Sequence, residues 1–496
     1  MPSNERVGGS RGVGGSRAAP TLLLLVLTGC AANAQPTVQP NPRTERVLAA
    51  DLDRIFNAPL TDHALWGVKV KSLDTGRVLY ARNTTTLMMP ASNMKIVTLA
   101  AAAEALGWDY RFKTVLETSG TIEAGVLKGD LIVRGSGDPT INRRDNRATT
   151  LLDQWAAALK AAGITAIQGN IVGDARAFDR PLLGQGWSWD YLQAGYAAPV
   201  AALEFNENIA TVTIRPGAAA GDDAQAELTP GTGLGLVHHV VTSAPGSATS
   251  IDIERVPEGG WLDVIGTIAV DARPATRDVA VANPALFFAH SLLRGLTERG
   301  ITVRGLPQEL REPKNALAPL PRQVLVETQS PPLREIAVTM MKVSQNLYAE
   351  TLLKALGGRD AAVKILTGWN IPANSYVLAD GSGLSRYDYL TPDMIVTILE
   401  RLHGDQRHRD PFVATLPVAG KDGTISTRMR ATRAEGNALA KTGSIANVRA
   451  LSGYVRTRDG ELLAFSILAN NFTLPAATVT WMSDLAVESL ANYTRR

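Results

Sequence analysis

Apolar and polar positions divide the chain into helical and strand-like stretches. Residues 95–106 are mostly alanine and leucine and stop at Gly107, which predicts a buried helix ended by a glycine. Apolar residues at helical spacing from about Leu474 to Tyr493 predict a C-terminal helix. Residues 66–80 predict a hairpin that turns at Asp74-Thr75-Gly76. Three further strands are expected over residues 438–441, 449–456 and 461–469.

The middle of the chain has a pattern of its own. Residues 159–165 and 296–302 share a helix end, a glycine stop and a following strand, which suggests an α/β domain whose halves are separated in sequence. Residues 204–273, which lie between them, alternate in polarity and contain glycine and proline clusters. They predict a small β-rich domain nested inside the first.

Three short strings carry candidate chemistry. They are Ser92-Asn93-Met94-Lys95, Ser344-Gln345-Asn346 and Lys441-Thr442-Gly443, in the order S-x-x-K, S-x-N and K-T-G. Each string alone is weak, because helix capping or a strand entering a turn explains it as well. Each nevertheless agrees with its surroundings, at a helix start, at a loop between two helical patterns and at a strand.

The first two strings offer proton transfer. Ser92 lies at the start of the first predicted helix, with Lys95 on the same face. A lysine packed in a crowded site beside another cation loses its proton more readily, so Lys95 can take one from Ser92. Ser344 can relay a proton to a leaving nitrogen, and the Asn346 amide can bind a substrate backbone. Lys342 is expected to add positive charge to the same cleft.

The third string offers binding groups. The charge of Lys441 and the hydroxyl of Thr442 suit a substrate carboxylate. Gly443 allows the backbone to approach closely. The amide hydrogens of Ser92 and Ser444 are the expected oxyanion donors.

These strings resemble the penicillin-recognising serine acyl enzymes, and more specifically the class C low-molecular-mass penicillin-binding proteins, the D-alanyl-D-alanine carboxypeptidase and endopeptidase family. Five other segments look like recurring segments of that family: residues 135–140, 169–174, 196–200, 346–350 and 380–385. The resemblance covers essentially the whole mature chain. Gln345 departs from the Asp or Asn that the family more often has there, and we expect this change to tune the rate without loss of activity.

The resemblance implies an α/β fold with a penicillin-recognising serine transpeptidase-like domain, an antiparallel five-stranded sheet flanked by helices, and two inserted domains. Ser344 follows Ser92 by 252 residues (344 − 92), the interval that houses these inserts in the family. The expected division is a signal peptide over 1–34, a catalytic domain from 35–113 and 319–496, an α/β insert from 114–203 and 274–318, and a nested β-rich domain over 204–273.

The resemblance also implies a serine D-alanyl-D-alanine carboxypeptidase or endopeptidase that cleaves peptidoglycan stem peptides through an acyl-enzyme and is acylated by β-lactams. Its catalytic residues are then Ser92, Lys95 and Ser344, and its substrate-binding residues are Asn346, Lys441, Thr442, Gly443 and Ser444. A serine β-lactamase or esterase, a non-catalytic peptidoglycan-binding protein and a structural envelope protein are the alternatives. No cofactor is expected, and no metal, because none of the six histidines has paired metal-ligand spacing beside a carboxylate.

Composition agrees with a globular chain of about three domains, with 496 residues, 45% of them hydrophobic and 20% charged. The formal charge is +3, but residues 1–34 contain three arginines and one glutamate and so contribute +2 of it. The remaining chain is nearly neutral, which gives no reason to expect a nucleic-acid partner.

The N-terminus predicts export to the periplasm or cell envelope. Arginines precede the uncharged stretch of residues 18–29, whose apolar core is too short to span a bilayer. Ala32-Asn33-Ala34 fits a cleavage site, whereas Leu27-Thr28-Gly29-Cys30 resembles a lipoprotein box that would place a lipid on Cys30 and associate the protein with a membrane. Cys30 is the only cysteine, so no disulfide is expected in the mature domains.

Overall fold

The computed structural model describes residues 42–61, 63–256, 260–310 and 321–495. The expected signal peptide and Cys30 lie outside the described residues. None of the helices within these ranges combines the length and the apolar character that crossing a bilayer requires.

A five-stranded antiparallel sheet joins the two ends of the described chain, as the family resemblance implies. In spatial order its strands are Val78–Arg82, Leu65–Ser72, Leu462–Asn470, Val448–Arg456 and Leu439–Ile445. The last strand is longer than its predicted range, because the K-T-G string continues the pairing through Ile445. One edge of the sheet is therefore the N-terminal hairpin, and the other edge carries Lys441.

The central strand, Leu462–Asn470, is buried along its whole length. Ala464 and Leu468 pack into a core on one side of the sheet, and Phe465 and Ile467 pack into a core on the other side. A strand covered on both faces has no solvent-facing positions, which explains its nearly continuous apolar sequence.

Helices form both covering layers. One side carries Met94–Leu106, Leu333–Lys342, Asn346–Ala355, Gly358–Gly368, Pro392–Gly404 and Gln406–Thr415, and the other side carries Pro42–Phe56 and Ala476–Asn492. The helix Met94–Leu106 lies at the centre of its layer, and every residue from Met94 to Ala103 is buried. This position explains why its alanine-rich sequence has no polar stripe.

The inserted stretch forms its own sheets. A mixed five-stranded sheet runs in the order Pro307–Glu309, Ile171–Asp174, Leu131–Gly135, Lys113–Thr118 and Gln323–Gln329, and a four-stranded sheet in the order Thr302–Val303, Ala166–Ile167, Val126–Lys128 and Thr121–Glu123. Helices Arg147–Ala161 and Pro284–Glu298 share one apolar core with them. Two three-stranded sheets follow, Gln225–Leu228, Ile209–Arg215 and Ala275–Ala280, and Gly235–Ser243, Trp261–Ala269 and Ser250–Val256.

Two strand pairings cross the predicted domain boundaries. Gln323–Gln329 pairs with Lys113–Thr118 in the inserted sheet, although the sequence assigns everything from residue 319 onward to the catalytic part. Ala275–Ala280 pairs with Ile209–Arg215, beyond the predicted end of the nested region at residue 273. Long-range pairing leaves no local signal, so the sequence pattern misses both. The division into domains itself stays a prediction.

Candidate active site

Ser92 lies in a single turn, Ala91–Asn93, directly before the helix Met94–Leu106. Ala91 has a φ of 45°, a left-handed conformation that costs a residue with a side chain about 1 kcal/mol or more. Gly383 covers this turn, since a Cβ built on it would lie 1.8 Å from the Ala91 oxygen. The turn that presents Ser92 is therefore held against a neighbouring loop that only a glycine can complete.

Lys95 is fully buried beside Ser92. Its Nζ lies 2.9 Å from Ser92 Oγ, 2.7 Å from Asn346 Oδ1 and 2.8 Å from the Ser382 backbone oxygen. Asn346 Oδ1 and the Ser382 oxygen are carbonyl oxygens, which accept hydrogen bonds and cannot donate. A neutral amine that donates its two hydrogens to them turns its lone pair toward the Ser92 hydroxyl.

Burial lowers the pKa of Lys95 to about 7, against the attraction of the nearby Asp380, Glu350 and Asp388. Burial also lowers the pKa of Lys441 well below its usual range, and the neighbouring charge of Lys95 adds to this. Two ammonium groups in one buried site repel each other. A pKa of about 7 leaves a substantial fraction of Lys95 neutral near neutral pH.

The loop that carries Ser382 is fixed by buried carboxyl groups. Glu350 accepts hydrogen bonds from the amides of Gly381 and Ser382, and Asp380 accepts one of 2.7 Å from the amide of Ser385. Trp187, from the inserted stretch, donates to Asp380 at 2.8 Å. Burial and the charge of Asp380 raise the pKa of Glu350. These contacts aim the Ser382 oxygen at Lys95.

Ser344 and Asn346 lie on the other wall of the site. Ser344 has a φ of 62°, and Asn346 begins the helix Asn346–Ala355. Lys441 Nζ donates to Ser344 Oγ at 2.8 Å and to the Thr442 oxygen at 2.9 Å. Asn346 Nδ2 donates to the Tyr196 oxygen at 2.8 Å, so its amide is held at both ends.

The K-T-G strand lies against the turn of Ser92. A Cβ on Gly443 would be 2.6 Å from the Pro90 oxygen, so this position needs a glycine. Thr442 donates to Thr424 at 2.8 Å, a partner that the sequence did not indicate. Lys342 forms a short ion pair with Asp422, and Lys342 is not among the residues that line the cleft. The charge of Lys342 is therefore paired with Asp422, and its contribution to the cleft stays a prediction.

These walls enclose a cleft of about 520 Å³. Five of the predicted site residues line it, Ser92, Ser344, Asn346, Thr442 and Ser444, while Lys95 and Lys441 are fully buried and Gly443 is buried as well. The sequence missed the other lining residues, Tyr191, Tyr196, Gly383, Leu384, Thr424, Ile445, Ala446 and Arg449. Of these, Tyr196, Gly383 and Leu384 lie in the family-like stretches 196–200 and 380–385, and Arg449 begins the predicted strand 449–456.

His408 lies beside two carboxylates, a neighbourhood that the histidine spacing along the sequence did not indicate. His408 Nε2 is 2.9 Å from Glu104, and Asp405 completes a cluster of potential ligand atoms. Trp108 donates to His408 Nδ1, which leaves the proton on Nε2 for Glu104, and Arg407 pairs with both acids. The cluster is satisfied as a hydrogen-bonded network and gives no reason to propose a metal.

An antiparallel sheet with a K-T-G edge strand, facing a serine and a buried lysine at a helix start, defines a penicillin-recognising serine enzyme. The D-Ala-D-Ala carboxypeptidase 3 (S13) family matches residues 48–491, and the chain belongs to this family.

Similar proteins agree with this assignment. A D-alanyl-D-alanine carboxypeptidase of Actinomadura sp. is 34% identical over 99% of this chain and 92% of its own length. The D-alanyl-D-alanine carboxypeptidase DacB of Haemophilus influenzae is 30% identical over 82% of this chain and 85% of its own. The crystal structure of penicillin binding protein 4 (dacB) from H. influenzae superposes with a TM-score of 0.77 at 28% identity, covering 90% of this chain and 99% of that one. The crystal structure of the same protein complexed with a β-lactam superposes with a TM-score of 0.71 at 27% identity, covering 90% of this chain and 99% of that one.

Proposed function

We propose that this protein is a serine D-alanyl-D-alanine carboxypeptidase and endopeptidase that acts on peptidoglycan stem peptides through an acyl-enzyme on Ser92. The contact between Lys95 Nζ and Ser92 Oγ, at 2.9 Å in a fully buried setting, is the observation that carries the proposal. Family membership and the carboxypeptidase names of the relatives support the substrate class.

Neutral Lys95 takes the proton of Ser92, and Ser92 Oγ attacks the carbonyl carbon between two D-alanines or at a D-amino-acid crosslink. Electrons move onto the carbonyl oxygen, which the amides of Ser92 and Ser444 stabilise. Lys441 and Thr442 hold the substrate carboxylate. Each of these groups lies on the cleft wall or directly beneath it.

Collapse of the tetrahedral intermediate breaks the peptide bond and leaves an ester on Ser92. Ser344 gives its proton to the leaving amine, and the ammonium of Lys95, which holds the proton from Ser92, restores it. Asn346 holds the acyl-side amide. Water then enters and hydrolyses the ester, which returns the enzyme to its starting state.

Covalent labelling tests the assignment. The wild-type protein should form a stable adduct with labelled penicillin, and the peptide that contains Ser92 should carry the mass of the drug. Ser92→Ala should abolish the adduct. Ser489→Ala, which removes a helix-surface hydroxyl bonded to Leu485, is the matched control and should label normally. Persistent labelling of Ser92→Ala at another residue contradicts the proposal.

Product analysis separates the two peptidase activities and the β-lactamase alternative. We expect release of D-alanine from stem peptides, cleavage of crosslinked muropeptides, or both, by purified protein. Rapid turnover of a chromogenic cephalosporin without D-alanine release identifies a β-lactamase. No adduct and no release identify a protein that only binds peptidoglycan or has a structural role.

We propose further that the protein is exported to the cell envelope, on the strength of the arginine-flanked apolar stretch of residues 18–29. Lipidation of Cys30 and cleavage after Ala34 are the two outcomes for its processing. Metabolic labelling with a fatty acid, with Cys30→Ala as the control, distinguishes them. Label that depends on Cys30 establishes membrane association through a lipid, and an N-terminus at Gln35 establishes cleavage.

A further inference from the structure

The inserted stretch contacts the S-x-N loop through two consecutive residues of that loop. Gln345 Nε2 donates to Glu207 Oε2 at 2.7 Å, and Asn346 Nδ2 donates to the Tyr196 oxygen at 2.8 Å. Asn346 Oδ1 in turn accepts from Lys95 at 2.7 Å. A chain of direct hydrogen bonds therefore runs from the insert to the proposed general base.

The Gln345 side chain uses both ends of its amide. Its Oε1 accepts from the Leu347 amide at 3.0 Å and so caps the helix Asn346–Ala355, while its Nε2 faces Glu207. Asp and Asn, which the family more often has here, can cap a helix in the same way. Their side chains are one methylene shorter than that of glutamine. The contact with Glu207 therefore depends on the length of the Gln345 side chain.

Within the inserted stretch, the Glu207 side chain is nearly buried and is held by an ion pair. It is 9% exposed, and Arg144 grips its carboxylate with Nε at 2.6 Å and Nη2 at 3.3 Å. Its backbone is the middle of three consecutive left-handed residues, Asn206, Glu207 and Asn208, with φ of 51°, 58° and 54°. Strained backbone of this kind persists only where the surroundings enforce it, and it concentrates at functional sites.

We propose that Glu207 is a positioning residue for catalysis: it anchors Gln345 and thereby fixes the left-handed Ser344 and the Asn346 amide in the cleft. The proposal rests on the proposed function and adds a role for the insert. Ser344 needs such an anchor because its φ of 62° is unfavourable for a serine. Without the contact, the loop relaxes, and the hydroxyl and the amide leave the geometry that acylation requires.

Exchanging the glutamine and the glutamate of the Gln345–Glu207 contact tests the positioning role of Glu207. Q345E places two carboxylates against each other, and we expect the rate constant for acylation by labelled penicillin to fall about tenfold or more, because like charges in a half-buried contact repel. E207Q keeps an acceptor for Gln345, so we expect a decrease of only about threefold. The double variant E207Q/Q345E restores a donor facing a carboxylate and should acylate at about the E207Q rate.

Q345N tests the reach directly. It retains a helix-capping oxygen but shortens the side chain, and it should lower kcat for D-alanine release more than it raises KM. Glu227→Gln, which alters an exposed glutamate that pairs with Arg215 elsewhere in the insert, is the control and should leave both constants unchanged. Unfolding by urea, measured on every variant, separates lost positioning from lost folding.

The proposal is overturned if Q345E acylates as fast as the wild type, or if the double variant is no faster than Q345E. If Q345E does not fold, the comparison of Q345N with the wild type decides, and unchanged kcat refutes the role. Failure of the proposed function looks different, because in that case the wild-type protein itself forms no adduct on Ser92.

Discussion

The side-chain amide of Asn93 donates a 3.0 Å hydrogen bond to the backbone oxygen of Lys441, 348 positions further along the chain. Both residues are fully buried. The bond ties the turn that presents Ser92 to the edge strand of the five-stranded sheet. It thereby sets the distance between the proposed nucleophile and the groups that would bind the substrate carboxylate.

Asn93→Ala removes this tie and leaves the Lys441 oxygen without its donor. We expect a loss of about 1–3 kcal/mol in the free energy of unfolding, because a buried acceptor is left unsatisfied. Acylation of Ser92 should slow as well, since the turn and the strand can then separate. Urea unfolding and stopped-flow acylation measure the two effects. An unchanged unfolding free energy would mean that the bond contributes nothing.

Acylation should rise with pH through the pKa of Lys95. Because burial lowers that pKa to about 7, the neutral amine that accepts the Ser92 proton is scarce below pH 7 and predominates above it. We expect the acylation rate constant to increase about tenfold from one pH unit below the pKa to one pH unit above it. Measurement with a β-lactam across this range checks the prediction.

Lys95→Arg is the matched control for the pH profile. A guanidinium stays protonated throughout this range, so the variant should show no acylation at any of these pH values. A wild-type profile that is flat or falls with rising pH would argue against Lys95 as the base.

Gly443→Ala should destabilise the protein and slow acylation by adding a single methyl group beside Ser92. The new Cβ would lie 2.6 Å from the Pro90 oxygen and 2.9 Å from Ala450 Cβ, so the strand must move away from the turn of Ser92. We expect a loss of about 1–3 kcal/mol in unfolding free energy together with slower acylation.

Gly368→Ala provides the comparison for this substitution. A Cβ on Gly368 meets no atom within 4 Å, and the residue ends the helix Gly358–Gly368. Alanine there should be neutral or stabilise the protein by up to about 1 kcal/mol. Thermal unfolding of both variants checks the contrast, and equal destabilisation would rule out the clash as the cause.

Ser344→Ala should slow the reaction without unfolding the protein. The substitution removes the hydroxyl that receives a hydrogen bond from Lys441 and that we assign to protonate the leaving amine. Loss of a positioned proton donor typically costs about a hundredfold or more in rate. The kcat/KM for D-alanine release measures it, with the melting temperature as a check on folding. A decrease below about threefold would remove Ser344 from the proton path.

The sequence predicted the local elements and the residue types of the site, because helices, strands and short motifs depend on residues that are close along the chain. Alanine and leucine before Gly107 predicted the helix that presents Ser92, and alternating segments predicted the strands at both ends. The three strings then named the side chains that the structure brings to one cleft. The order of the strands in one sheet came from the family resemblance, since local patterns do not record which strands pair.

Only the tertiary structure decided how those side chains behave. The low pKa of Lys95 comes from burial, which depends on helices distant in sequence. The pairing of Lys342 with Asp422, the Thr424 partner of Thr442 and the contact of Gln345 with Glu207 join residues that carry no mutual signal along the chain. The sequence by itself determined which chemical groups the protein has and the local elements that hold them. Their distances, charges and partners follow from packing, because hydrogen bonding and desolvation depend on neighbours in space.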